Sequence, residues 1–163
     1  MIRCIVAIDS KNGMANDHGI PWDFPADRKY FREQTKNGIV IMGYGTYAEF
    51  AEPLPDRRNM VVAREGTELR PGFELIEDIF EFLRNCEEDV WIIGGAKLFE
   101  STIYLADELF ITQIEGNYSC TKFFPDYSSV FRRVDTDPSQ TENGITYTFT
   151  RWKRTTHLLH KQR

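Results

Sequence analysis

Three short, almost unbroken apolar runs constrain this chain more than any other feature: Ile2–Ile8, Ile39-Val40-Ile41-Met42 and Val90-Trp91-Ile92-Ile93. Such runs are too short for core helices and lack the alternation of a half-exposed strand. They predict strands buried on both faces, as in a parallel sheet. Helical patterns lie between them: Pro25–Thr35, a turn or two after Gly43-Tyr44-Gly45-Thr46, Glu77–Cys86 and Ala96–Ile103. Further strands are expected at Asn59–Ala63, Phe73–Ile76 and Glu108–Ile114. The C-terminal third changes character. Val130–Val134 and Ile145–Lys153 read as two long antiparallel strands, with turn signals at Pro138 and Asn143-Gly144. The sum is an α/β fold with a central, mostly parallel eight-stranded sheet, an antiparallel C-terminal edge strand and about four flanking helices. Its 163 residues suit one compact domain, placed at 1–156, with 157–163 as a polar, basic, frayed tail.

Charge and composition exclude several classes of function. The net charge is −5, and no basic run stands out before the tail, so nucleic acid is not expected as a partner. No apolar stretch approaches a membrane span, and no charged segment followed by a long apolar one marks a secretory signal. Cys4, Cys86 and Cys120 are odd in number and far apart, with no metal-binding spacing. Unpaired thiols suit a reducing cytoplasm.

Two places carry chemistry. Asp9–Phe24 is a long loop rich in Gly, Asn and Asp, of a length that is usually functional or disordered. It leads through Ile20-Pro21-Trp22 into a helix whose first turn holds Pro25 and Asp27, with Phe31 at i+4 on the same face. A carboxylate beside an aromatic suits a flat, nitrogen-rich ring, the aromatic packing on the ring and the acid binding its N–H groups. A solvated acid favoured by the helix dipole fits this segment equally well. The second place is the pair of glycine turns, Gly43-Tyr44-Gly45-Thr46 and Gly94-Gly95, each following a buried strand. Glycine lets a ligand approach closely, and the helix that follows offers free N–H groups to phosphate. Two such turns fit a dinucleotide, although a glycine pair after a strand is often only a tight turn, and GxGxxG is absent.

Together these residues resemble the dihydrofolate reductase family. The resemblance runs from Ile5 to Asp126 through Ile5-Val6-Ala7, Pro21-Trp22, Pro25-Ala26-Asp27, Phe31, Ile41-Met42-Gly43, Thr46, Pro53-Leu54-Pro55, Arg57, Ile92-Ile93-Gly94-Gly95, Thr112 and Phe124-Pro125-Asp126. It implies reduction of 7,8-dihydrofolate by hydride transfer from NADPH, binding of antifolate-type small molecules, and a monomer. It assigns Asp27 to the pterin ring, with Thr112 supporting the carboxylate, Trp22 holding an ordered water and Ile20 on a lid spanning Asp9–Phe24. Ile5, Val6, Phe31, Phe50, Leu54 and Ile93 would line the substrate cleft, and Arg57 would clamp the glutamate α-carboxylate. Phe50 and Leu54 serve equally well as ordinary core residues. Arg28 stands at the mouth of the cleft, to pair with the substrate tail, with Glu52 or with solvent. Arg58 reads as a solvated charge.

For the cofactor the resemblance implies Val6, Ala7, Met14, Ala15, Ile20, Gly43, Tyr44, Gly45, Thr46, Val62, Ala63, Arg64, Ile93, Gly94, Gly95, Ala96, Lys97, Leu98 and Phe99. The chain departs from the family pattern at several of these. Tyr44 stands where a basic residue often meets the adenosine 2′-phosphate, and Ala63 replaces a small hydroxyl residue. Arg64 lies beside them to supply the missing positive charge, and Lys97 would reach a phosphate from the helix start. Ala96 replaces a third glycine, Phe99 a tyrosine, and Ala15 and Gly19 alter the lid. Two other functions share the architecture: a riboflavin-pathway pyrimidine-ring reductase, and a non-catalytic nucleotide- or partner-binding relative. Asp27 with Phe31, and Arg57 for a carboxylate tail, argue against the first. Asp27, Thr112 and Arg57 together argue against the second.

Overall fold

A computed structural model describes residues 1–155. Eleven strands are found, β1 (Ile2–Ile8), β2 (Gly13–Ala15), β3 (Ile39–Gly43), β4 (Arg58–Val62), β5 (Phe73–Ile76), β6 (Val90–Gly94), β7 (Glu108–Ile114), β8 (Lys122–Phe123), β9 (Phe131–Thr136), β10 (Gln140–Glu142) and β11 (Ile145–Arg154). The helices are α1 (Pro25–Thr35), α2 (Tyr44–Glu49), α3 (Ile79–Asn85) and α4 (Ala96–Thr102), the last continuing as a 3-10 turn over Ile103–Leu105. The tail expected at 157–163 lies outside the described residues.

The main sheet runs β10-β11-β7-β1-β6-β3-β4-β5, with β9 also pairing β11. β10 takes Ile145–Tyr147 of β11 and β9 takes Thr150–Arg154, so two short strands share one edge position. The sheet therefore has eight positions, as expected, filled by nine strands. Pairings from β7 across to β5 are parallel, and β11 is antiparallel to β7. β2 and β8 form a separate two-stranded ribbon that ties the long loop after β1 to the segment after β7.

Period-two alternation splits the buried strands between two apolar layers. Cys4, Ile39, Ile41, Val90, Ile92, Leu109 and Ile111 face the layer that holds Leu83 of α3 and Leu98 and Phe99 of α4. Ile5, Val40, Met42, Val61, Trp91 and Phe110 face Tyr30 and Phe31 of α1 and Tyr47 of α2. The same parity carries Thr112, two residues beyond Phe110, to the α1 side. Helix ends follow local chemistry. Asp78 caps α3 by accepting from the Phe80 and Glu81 N–H groups at 3.0 and 3.1 Å. This cap starts α3 at Ile79 rather than at Glu77. α1 has Pro25 in its first turn and no cap from its own flank. Glu142 of β10 supplies one from across the molecule, accepting from the Ala26 N–H at 3.4 Å.

Candidate functional site

Asp27 and Thr112 are 85 residues apart and meet because α1 packs on the face of β7 that carries Thr112. The Thr112 hydroxyl donates to Asp27 Oδ1 at 2.9 Å. Burial pushes the Asp27 carboxyl above its usual range, and the Thr112 hydrogen bond pulls it part of the way back. Among the described residues no donor reaches Oδ2, which leaves that oxygen for a ligand. Phe31, Phe50, Leu54 and Ile93 are half-buried against the apolar layer that includes Ile5, so one cleft carries the acid and its aromatic wall. Val6 packs against the opposite layer, and Ala7 lies with Trp22 and Phe24.

Arg57 follows the Pro53-Leu54-Pro55 segment, within electrostatic reach of Arg32 on α1. Its Nε and Nη1 are buried and have no hydrogen-bond partner among the described residues. Burial lowers its pKa, while Asp56 supports the cation and Arg32 opposes it. An orphaned guanidinium of this kind is a seat for an anion. Its backbone is set by Asn59, a buried polar residue in the second position of β4. Asn59 accepts from the Leu54 N–H at 2.9 Å and donates to the Leu54 and Arg57 carbonyls at 2.9 and 3.1 Å. Arg57 also borders a separate cleft of about 780 Å³ that extends past Lys36 and Asn37 to Arg3 and Asp89. Arg70 ties down the end of α2, donating to the Tyr47 and Phe50 carbonyls with its guanidinium 4.0 Å from the Tyr47 ring centre.

The two glycine turns form a single feature. β3 and β6 are neighbours, so Gly43 and Gly94-Gly95 lie side by side at their carboxyl ends. In its pairing with β3, β6 carries one extra residue, Ile93, directly before the turn. A Cβ on Gly43 would lie 3.7 Å from the Gly95 nitrogen, and one on Gly95 would lie 3.5 Å from the Thr46 hydroxyl. The cradle is thus open only because both side chains are hydrogen, and α4 starts from it with free N–H groups. That geometry fits a pyrophosphate. Tyr44, Gly45, Arg64 and Lys97 are exposed around it, and Val62, Ala63 and Ala96 are half-buried. Leu98 and Phe99 are buried beneath, with Phe99 packed on Gly94 and on the Phe124 ring.

The long loop fills the stretch between β1 and α1. Ile20 is 65% exposed beside a tight Asn16–Gly19 turn, whereas Met14 and Trp22 are buried and Ala15 half-buried. Arg28 pairs with Asp23 at the loop's end. Arg58 is not simply solvated: it makes a two-pronged pair with Glu74 at 3.0 and 2.9 Å.

The family model for dihydrofolate reductase matches residues 1–154. The chain belongs to the dihydrofolate reductase family. It is 36% identical to dihydrofolate reductase type 3 of Salmonella typhimurium over 80% of this chain and 82% of the relative. It is 31% identical to the Staphylococcus aureus dihydrofolate reductase over 99% of both chains. Among solved structures it matches dihydrofolate reductase from Enterococcus faecalis complexed with NADP(H) and RAB-propyl. That match has a TM-score of 0.86 and 25% identity, and covers 96% of this chain and 97% of the other. Dihydrofolate reductases are NADPH-dependent oxidoreductases, and the glycine cradle fits that cofactor. Asn59, Arg70 and Glu142 are supporting residues that the sequence did not single out. Only Asn59 gave a signal, as a polar residue at the head of an apolar strand.

Proposed function

We propose that this dihydrofolate reductase, as one domain over residues 1–156, binds the pterin ring through Asp27. The carboxylate takes N3 and the 2-amino group, while Phe31, Ile5 and Ile93 pack on the ring. The observation that carries this assignment is the pair of half-buried Asp27 with buried Thr112, with one carboxylate oxygen left for ligand. Arg57, with two buried donors unpaired, takes the glutamate α-carboxylate.

Bound NADPH supplies the hydride, so the protein's part is placement. Gly43, Thr46, Gly94, Gly95 and the start of α4 hold the pyrophosphate, and Arg64 and Lys97 meet the 2′-phosphate. Ala7, Ile20 and Met14 border the nicotinamide. Residues 9–24 act as the lid, excluding bulk water while Trp22 retains one molecule near the ring. The proton for N5 comes from water, with ionised Asp27 polarising the ring from its far edge.

The net charge of −5 supports a protein that partners small anions through local cations rather than nucleic acid. No described helix is long and apolar enough to cross a membrane. We read the protein as a cytoplasmic monomer. An absorbance assay with NADPH and dihydrofolate tests the assignment. The Asp27→Asn protein should lose about a hundredfold or more in kcat/KM. Equal activity in the two proteins would remove Asp27 from this role, and no NADPH oxidation by the unmodified protein would remove the enzyme reading.

A further inference from the structure

Arg70 lies in the loop between β4 and β5 and is exposed, yet among the described residues no carboxylate pairs with its guanidinium. Main-chain oxygens take the cation instead. One terminal nitrogen, Nη2, donates to the Tyr47 carbonyl at 2.9 Å and to the Phe50 carbonyl. These carbonyls end α2, a helix whose own last turn carries no basic residue. The last carbonyls of a helix have no partner within it, and a cation from elsewhere satisfies them and meets the negative end of the dipole. The guanidinium carbon sits 4.0 Å from the centre of the Tyr47 ring and 5.4 Å from that of Phe73, so the fork is held against two aromatic walls.

The two carbonyls do not depend on Arg70 equally. The Tyr47 carbonyl also accepts from the Phe50 N–H at 3.0 Å. Among the described residues no other donor reaches the Phe50 carbonyl. At Phe50 the chain leaves the helix, with φ −91 and ψ 120, so the direction of that carbonyl and the placement of the side chain are set together. The Phe50 ring packs, half-buried, in the apolar layer with Phe31, Leu54 and Ile5. Leu54, by contrast, is held at both its N–H and its carbonyl by Asn59. The loop itself stays on α2 without the guanidinium. The Arg70 N–H donates to the Tyr47 hydroxyl at 2.9 Å, and the Tyr47 and Phe73 rings meet edge-on with centroids 4.8 Å apart. Losing the side-chain donors of Arg70 therefore frees the Phe50 carbonyl and little else.

We propose that Arg70 is a positioning residue for the substrate: by holding the Phe50 carbonyl from the loop after β4, it fixes the Phe50 ring in the wall of the dihydrofolate cleft. This rests on the reading of Phe50 as part of that wall. Arg70 touches no reacting atom. With Phe50 already in place, binding does not have to order it, so the effect falls on affinity rather than on the chemical step.

The test uses the full chain and a double-mutant cycle of Arg70→Met with Phe50→Ala. Methionine keeps an apolar stem over the Tyr47 ring and has no N–H to donate. Dissociation constants for dihydrofolate and for NADPH, kcat and melting temperature are measured for the parent, both single variants and the double variant. Arg70→Met should raise the dihydrofolate constant about fivefold and leave the NADPH constant and kcat within about twofold of the parent. In the Phe50→Ala background the same change should add less than about twofold, because the ring it positions is gone. A merely structural role would lower the melting temperature and leave the dihydrofolate constant unchanged well below it, and that result overturns the proposal. A full further loss on top of Phe50→Ala overturns it too, since Arg70 then acts by another route. If Arg70→Met does not fold, Arg70→Gln, too short to reach the Phe50 carbonyl, takes its place under the same criteria. Normal dihydrofolate binding by Phe50→Ala sinks the reading of Phe50 as cleft wall together with the proposal. Weakened Phe50→Ala with normal Arg70→Met sinks the role of Arg70 alone.

Discussion

At the scale of single residues, Asp27 and Arg57 are both held in states that suit a ligand better than the free protein. Burial raises the Asp27 pKa, so the folded state holds its proton more tightly than the unfolded chain does. The stability associated with that proton is present below the unfolded value of about 3.9 and is lost as pH rises through the folded one. Asparagine does not titrate and still accepts from Thr112. Ligand-free Asp27→Asn should therefore melt above the parent at pH 7, with the gap closing toward pH 4. A gap that widens on acidification would show that the ionised carboxylate stabilises the free fold. Arg57 gives the complementary case. Its buried Nε and Nη1 have no partner, so Arg57→Ala should leave the stability of the free protein nearly unchanged. It should weaken dihydrofolate binding by about 2 kcal/mol, since hydrogen bonds to a charged group are lost. Equilibrium titration of each ligand checks this: an equal loss in NADPH affinity would contradict the assignment to the substrate tail.

At the scale of elements, the glycine turns separate backbone need from ligand need. Gly94 has φ +124, and a Cβ there would meet the Phe99 ring at 3.3 Å. Gly94→Ala should cost about 1–3 kcal/mol in urea unfolding, the usual size of such backbone strain. Gly95 and Gly43 have ordinary φ, and their added Cβ atoms would make only van der Waals contacts with the protein. Gly95→Ala and Gly43→Ala should keep the parental stability and lose NADPH affinity, because the new methyl groups fill the cradle. Normal NADPH binding by Gly95→Ala would place the pyrophosphate elsewhere. These turns also mark how far the sequence was legible. Ile2–Ile8 and Pro25–Thr35 read true to the residue, because a buried strand and a proline-started helix are written locally. Both glycine turns were visible as local features, but their adjacency depends on β3 pairing with β6, which no local pattern encodes. β2, β8 and β10 were missed because two or three residues carry no periodicity. In the site, Asp27 stood out by residue type and position, Thr112 and Arg57 only through the family resemblance, whereas Glu142 reaches α1 from across the chain, a contact that no local pattern encodes.

At the scale of the molecule, the two ends of the sheet do different work. The carboxyl ends of β3 and β6 carry the glycine cradle, with its open turns and positive φ. Around the amino ends of β1, β6 and β7 lies an ion-pair network. Arg3 bridges Asp89 at 3.1 Å and Glu108 at 3.0 Å, and the amino terminus adds a pair with Asp89 at 3.1 Å. Arg151 of β11 approaches the same Glu108 at 3.9 Å with a buried Nε that has no hydrogen-bond partner. Glu108 is thus a buried anion between two cations from different strands. It joins β1 to β7 and the antiparallel β11. Replacing it by glutamine takes the Glu108 counter-charge from Arg151 and leaves Arg3 with Asp89 alone. Removing one partner of a buried pair costs several kcal/mol, and the exposed flanks of both arginines reduce this to about 2 kcal/mol. Asp89 makes as many pairs but is 59% exposed in its side chain, so Asp89→Asn should cost under about 1 kcal/mol. Both changes lie away from the cradle and from Asp27, so kcat and both KM values measured well below the melting temperature should match the parent. Equal losses of stability in the two variants would mean that burial does not set the strength of this network. A change in KM for NADPH in Glu108→Gln would mean that the two ends of the sheet are coupled rather than independent.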